Sequence, residues 1–269
     1  PAPLGVSFYS FMMISYLVDV YNGRIHAQKN FLKYLSYVLY FPHITQGPIA
    51  RYELVAHQLW EKHKFDYDTV IKGTWLILWG ALKKMVMADR ISPFVTEVFK
   101  HSDQYEGMIF FLAAVMYSIQ IYCDFSGCMD IVRGASECFG ITLGENFRRP
   151  YFSQTLPEFW RRWHISLGSW FRDYVYIPLG GSRKGKLILV RNLIIVWLLT
   201  GIWHGASWNF VIWGLMFGLL LIIEKLWLGK YIEKLPDIFK RLYVIFIVMI
   251  SFIIFNAGTM KEAFTNISG

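Results

Sequence analysis

Seven apolar runs dominate the chain, at Leu4–Tyr21, Tyr34–Ile49, Val70–Ala88, Met108–Tyr122, Leu187–Trp203, Trp208–Trp227 and Leu242–Phe255. Several approach the roughly 20 residues that a helix needs to cross a bilayer. One soluble core cannot absorb them. Of the 269 residues, 55% are hydrophobic and only 17% are charged, against about 25% charged in an ordinary soluble domain. Composition excludes disorder and makes lipid the expected solvent. The expected fold is an all-α integral membrane protein of about six spanning segments, with residues 1–269 forming one domain.

The second run carries Pro42, His43, Gln46, Gly47 and Pro48, which would break a lipid-facing helix. A re-entrant or protein-buried segment is expected there. The chain opens on Pro1 rather than Met and stops at Ile267-Ser268-Gly269, so we expect a piece of a longer protein. No signal-peptide pattern precedes the first run, and spanning helices would direct the chain to the membrane themselves.

The net charge of +8 does not point to nucleic acid, because its carriers lie between apolar runs and no nucleic-acid motif accompanies them. The positive-inside effect accounts for it. Between Arg148 and Arg191 stand nine Lys/Arg against the two acids Glu158 and Asp173, so this segment is expected on the cytoplasmic side. Lys230, Lys234, Lys240 and Arg241 form a second basic loop after the chain has gone out and back. Residues 193–227 make about 52 Å of helix, slightly short of two passes, which would place the turn His204-Gly205-Ala206-Ser207 within the depth of the membrane. Cys123, Cys128 and Cys138 are odd in number and lack C-x-x-C spacing, so neither a disulfide framework nor a zinc site is expected. No H-E-x-x-H or other metal spacing appears, and His26, His57, His63 and His101 sit in polar stretches as surface residues.

Chemistry concentrates in two stretches. In the first, Glu158 to Tyr174, helical spacing would put Trp160, Trp163, Leu167, Trp170, Phe171 and Tyr174 on one face and Arg161, Arg162 and Arg172 on another. That pattern describes an amphipathic helix at the membrane surface, with His164 at the margin of its aromatic stripe. In the second, His204 follows Trp203 inside an apolar run, where an ionisable group is expensive unless it faces a partner or a wet cavity. Its imidazole can take a proton from a hydroxyl and deliver it to a leaving group, or it can be a neutral ring hydrogen-bonded in a packed helix pair. Gly201, Gly205 and Ala206 would admit either a substrate or a second helix. A serine–histidine–aspartate triad of Ser126, His204 and Asp124 lacks the nucleophile-elbow spacing, and a helix-end cap explains Asp124 and Ser126 equally well.

These blocks, together with Phe41-Pro42-His43, Lys83-Lys84, Glu145-Asn146-Phe147 and Tyr176-Ile177-Pro178-Leu179-Gly180-Gly181, resemble the membrane-bound O-acyltransferase family, in its alginate O-acetyltransferase-like bacterial branch. The resemblance implies a multi-pass helical fold with re-entrant and amphipathic segments and a central tunnel, in the bacterial plasma membrane. It implies transfer of an acetyl or short acyl group from a cytoplasmic thioester, acetyl coenzyme A or an acyl carrier, with no bound cofactor. The acceptor would be a cell-envelope or extracellular polysaccharide, as in alginate biosynthesis, reached through an extracytoplasmic partner acyltransferase. By the same resemblance His204 is the catalytic base and His164 its companion. Trp203, Trp160, Trp163, Asp124, Ser126, Arg172, Asp173 and Asn209 would bind substrate. The basic segment would receive the donor's phosphates or serve topology alone. D-Alanyl transfer towards teichoic acid is the nearest competing reaction, and a transporter or flippase the competitor from another class.

Overall fold

The computed structural model describes residues 5–42, 46–101, 104–105, 107–259 and 262–263; His43 and both chain ends, on which the expectation of a longer protein rested, lie outside the described residues. The described residues form helices and no strand: α1 (Val6–Tyr21), α2 (Phe31–Val38), α3 (Tyr52–Val55), α4 (Tyr67–Ala81), α5 (Asp89–Lys100), α6 (Met108–Cys138), α7 (Leu156–Arg162), α8 (Ile165–Phe171), α9 (Lys186–His204), α10 (Trp208–Ile223), α11 (Gly229–Ile232) and α12 (Asp237–Asn256). Wider π-helical turns at Leu82–Ala88, Arg172–Tyr176 and Glu224–Leu228 join or extend them. Among the described residues, four helices are long and apolar enough to cross a membrane: Met108–Cys138, Lys186–His204, Trp208–Ile232 and Asp237–Asn256. Only 28% to 39% of each span's most apolar window is buried, so most of that apolar surface points outward, as lipid solvation requires.

The first run is the 16-residue α1, and the third runs through α4 into the π-helical turn; neither is among the four. The second run stops being helical at Val38, and residues 47–50 are buried irregular backbone. Its polar groups are met inside the protein: Ser166 Oγ accepts from Ile49 N–H at 3.1 Å, and Tyr37 O–H donates to Ala50 C=O at 2.7 Å. That is the condition under which broken backbone is tolerated at membrane depth.

The chain divides into two compact units that alternate along the sequence: residues 1–87, 123–147 and 164–170, and residues 88–122, 148–163 and 171–269. In the first unit, α4 lies antiparallel on α6 with backbones in contact. A Cβ on Gly73 would stand 2.6 Å from Gly134 C=O, and one on Gly80 would stand 2.5 Å from Gly127 C=O. The seven-residue spacing of each glycine pair brings both to the same helix face, two turns apart. Beside this crossing the buried Lys83 donates to Asp130 at 2.6 Å and to Ser126 Oγ at 3.0 Å. In the second unit α9 and α10 form a hairpin equally close, since a Cβ on Gly201 would meet Phe210 C=O at 2.5 Å. Glu224, 4% exposed, sits where α10 widens; its Oε2 accepts from Leu156 N–H and Tyr243 O–H, both at 3.2 Å, and so fastens the start of α7.

Candidate active site

His204 is the last residue of α9. The chain turns at Gly205 into α10, and the half-buried imidazole meets three aromatic edges: Trp203 at 4.9 Å, Trp213 at 5.1 Å and Phe255 at 5.2 Å between ring centroids, all near perpendicular. It makes no hydrogen bond to a described residue. The space beside Gly201 and Gly205 belongs to α10: a Cβ on Gly205 would stand 2.6 Å from the Phe210 ring. The small residues serve helix approach.

Behind Trp213 lies a cluster in which Trp160 of α7 packs edge-on against Trp197, Phe217 and Trp213 at 4.7, 4.7 and 5.7 Å. Asn209, one turn before Trp213, donates through Nδ2 to Ala257 C=O at 2.8 Å, tying α10 to the end of α12. Trp163 stacks on Phe159 at 5.5 Å and tilts against Phe252 at 5.3 Å.

The aromatic stripe from Glu158 to Tyr174 is not one helix. α7 ends at Arg162, Trp163 is extended at φ −108°, His164 is left-handed at φ 45°, and α8 starts afresh at Ile165. The side chains of Phe159, Trp163, Leu167, Trp170 and Phe171 are buried in protein rather than laid along a membrane surface. The break is held locally: Asn146 accepts from Ile165 N–H through its backbone C=O (3.0 Å) and from Ser166 N–H through Oδ1 (2.8 Å), capping α8 from a distant stretch of chain. His164, 4% exposed, presents its ring to the edge of Phe125 at 4.8 Å. A left-handed non-glycine residue is uncommon, and such strain gathers at functional positions.

Asp124 and Ser126 lie inside α6, not at its end as the cap reading had it. The apolar run stops near Tyr122, but the helix continues because lysines meet its polar groups: Lys84 pairs with Asp124 at 2.6 Å, and Lys83 donates to Ser126 Oγ. Arg172 donates to Asp173 at 2.7 Å; that carboxylate holds the guanidinium above its ordinary pKa. Asn192, fully buried, donates to Gly181 C=O at 3.0 Å and fixes the basic loop that carries Arg183 and Lys184 ahead of α9. Sequence reasoning missed Asn146, although its block was noticed, because a cap acting across 20 residues has no local spacing. It also missed Trp213, which is one aromatic residue among many in an apolar run.

The described residues thus form a helical membrane protein, in which one histidine ends a spanning helix and another is left-handed between two short helices. The membrane-bound O-acyltransferase family model matches residues 8–260, and the chain belongs to that family. It is 39% identical over 97% of its length to a probable alginate O-acetylase AlgI of Azotobacter vinelandii, covering 52% of that protein. It is 31% identical over 99% of its length to a peptidoglycan O-acetyltransferase of Helicobacter pylori, covering 56% of it. A teichoic acid D-alanyltransferase of Bacillus subtilis is 29% identical over 93% of the chain, which covers 65% of that protein. The chain thus spans about half the length of the alginate O-acetylases it matches.

Proposed function

We propose that the protein containing this chain is a multi-pass acyltransferase of the bacterial plasma membrane, passing an acetyl or short acyl group from a cytoplasmic thioester to a cell-envelope or extracellular polysaccharide. The single observation that carries this reading is His204: a ring without a hydrogen-bond partner among the described residues, ending a spanning helix amid aromatic edges. There it takes the proton of the acceptor hydroxyl as that oxygen attacks the thioester carbonyl, then returns it to the departing thiolate. A surround of aromatic rings keeps out the water that would hydrolyse the donor.

His164 positions the donor, and Trp203, Trp160, Trp163, Asp124, Ser126, Arg172, Asp173 and Asn209 contribute to substrate binding along the path. The basic loop before α9 receives the phosphates of coenzyme A or of a carrier's phosphopantetheine. The acceptor is reached through an extracytoplasmic partner, and the 269 residues act as one membrane domain. Identity of 39% with the alginate-type relative, against 29% with the D-alanyl one, favours acetyl over D-alanyl transfer.

The test is transfer of labelled acetyl groups from acetyl coenzyme A to envelope material by membranes carrying the full-length protein. His204→Ala at matched expression loses transfer by at least about 100-fold; unchanged transfer would return His204 to packing.

A further inference from the structure

The α10 face that looks into the second unit carries Asn209, Trp213 and Phe217, at i, i+4 and i+8, which are 3%, 2% and 0% exposed. On this face the indole Nε1–H of Trp213 is buried with no hydrogen-bond partner among the described residues. One turn away Asn209 Oδ1 is equally buried and equally unpartnered, while its Nδ2 is engaged by Ala257 C=O. Buried polar atoms are rarely left so, and a donor and an acceptor orphaned together on one face suit a ligand that offers one of each. A thioester carbonyl oxygen can accept from the indole N–H, and a polyol acceptor carries a second hydroxyl, beside the one that reacts, to donate to Asn209 Oδ1.

The neighbour of Trp213 is His204, ring to ring at 5.1 Å and near perpendicular. A base must lie about 2.6–3.2 Å from the hydroxyl it deprotonates. That hydroxyl approaches the carbonyl carbon to about 3–3.5 Å. For the two rings to act on one reacting pair, the carbonyl oxygen must sit at the indole N–H and the hydroxyl at the imidazole of these adjoining rings.

Resting on the acyl-transfer reading, we propose that the Trp213 indole N–H is a catalytic hydrogen-bond donor to the thioester carbonyl oxygen. As the acceptor oxygen bonds to the carbonyl carbon, the C=O electron pair moves onto oxygen and the hydroxyl proton moves to His204. The N–H meets the charge that develops. When the pair returns, the C–S bond breaks and the thiolate leaves with the proton from the imidazolium, so atoms and charge balance. A donor fixed in a desolvated site before reaction is the arrangement that lowers this barrier most. An indole N–H turned onto a neighbouring ring would be a weaker contact and would leave Asn209 Oδ1 unexplained.

The experiment replaces Trp213 in the full-length protein by 3-benzothienylalanine, which keeps the bicyclic shape and removes the N–H, and measures labelled transfer from acetyl coenzyme A in membranes. The expected result is a fall in kcat of about 10- to 100-fold with KM for the donor within about twofold, at unchanged thermal unfolding of the extracted protein. Trp213→Phe, which also lacks the N–H, falls at least as far. Wild-type kcat in the benzothienyl protein, with His204→Ala inactive, overturns the role of Trp213 and leaves the acyl-transfer reading standing. Wild-type transfer by His204→Ala overturns both.

Discussion

At His164 the backbone and the ring make separable demands. Glycine relieves the left-handed φ of 45° that costs an L-residue about 1–2 kcal/mol, while alanine keeps that cost and removes the ring. His164→Gly is therefore expected to unfold at or above the temperature of His164→Ala, and both to lose acyl transfer if the imidazole touches the donor. Retained transfer in the glycine protein, measured beside its unfolding curve, would assign the position to chain reversal alone. His204 stood out in the sequence because an ionisable ring in an apolar run is expensive, and His164 because the family resemblance marked its position. Trp213 did not, since its distinction lies in an unmet N–H and in the ring it faces, and both are properties of packing.

At the scale of elements, periodicity predicted the long spans well and the short helices poorly. The spacing of Trp160, Trp163, Trp170 and Tyr174 fits one helix, yet Asn146 caps a new helix at Ile165 and turns the stripe into two buried segments. Likewise the apolar run before Asp124 ends while α6 continues, because Lys83 and Lys84 arrive from another helix to meet its polar groups. The α4–α6 crossing gives a direct prediction: Gly80→Ala drives a methyl against the Gly127 backbone, and overpacking of this kind costs about 1–3 kcal/mol. Gly144→Ala, with open space around its Cβ, is the control and should leave thermal unfolding unchanged. The start of α4 is pH-sensitive. Asp66 Oδ2 accepts from Thr69 N–H at 3.0 Å and from the Thr69 hydroxyl, and these bonds hold the carboxyl below its ordinary pKa, the hydroxyl bond contributing most. A depressed carboxyl contributes stability that is full above its unfolded pKa and is lost as pH falls through the folded one. Wild type minus Asp66→Asn, compared by thermal unfolding from about pH 6 to about pH 3, should therefore shrink towards the acid end. A difference that stays constant would show that the charge is not what caps the helix.

For the whole molecule, composition and charge pattern were enough to choose lipid as the solvent, and the family match over residues 8–260 agrees with the motif blocks read from the sequence. The interleaving of the two units was not legible, because each is assembled from three stretches with parts of the other between them and is defined only by what packs on what. The proposed reaction is vectorial: the donor binds on the basic, cytoplasmic side, the acyl group emerges opposite, and His204 stands between. Membrane vesicles of known orientation carrying the full-length protein test this directly. With labelled acetyl coenzyme A supplied only at the cytoplasmic face, acetylated envelope polysaccharide should accumulate on the other face in wild type and not in His204→Ala. Equal accumulation in the two, or product confined to the face that received the donor, would contradict it.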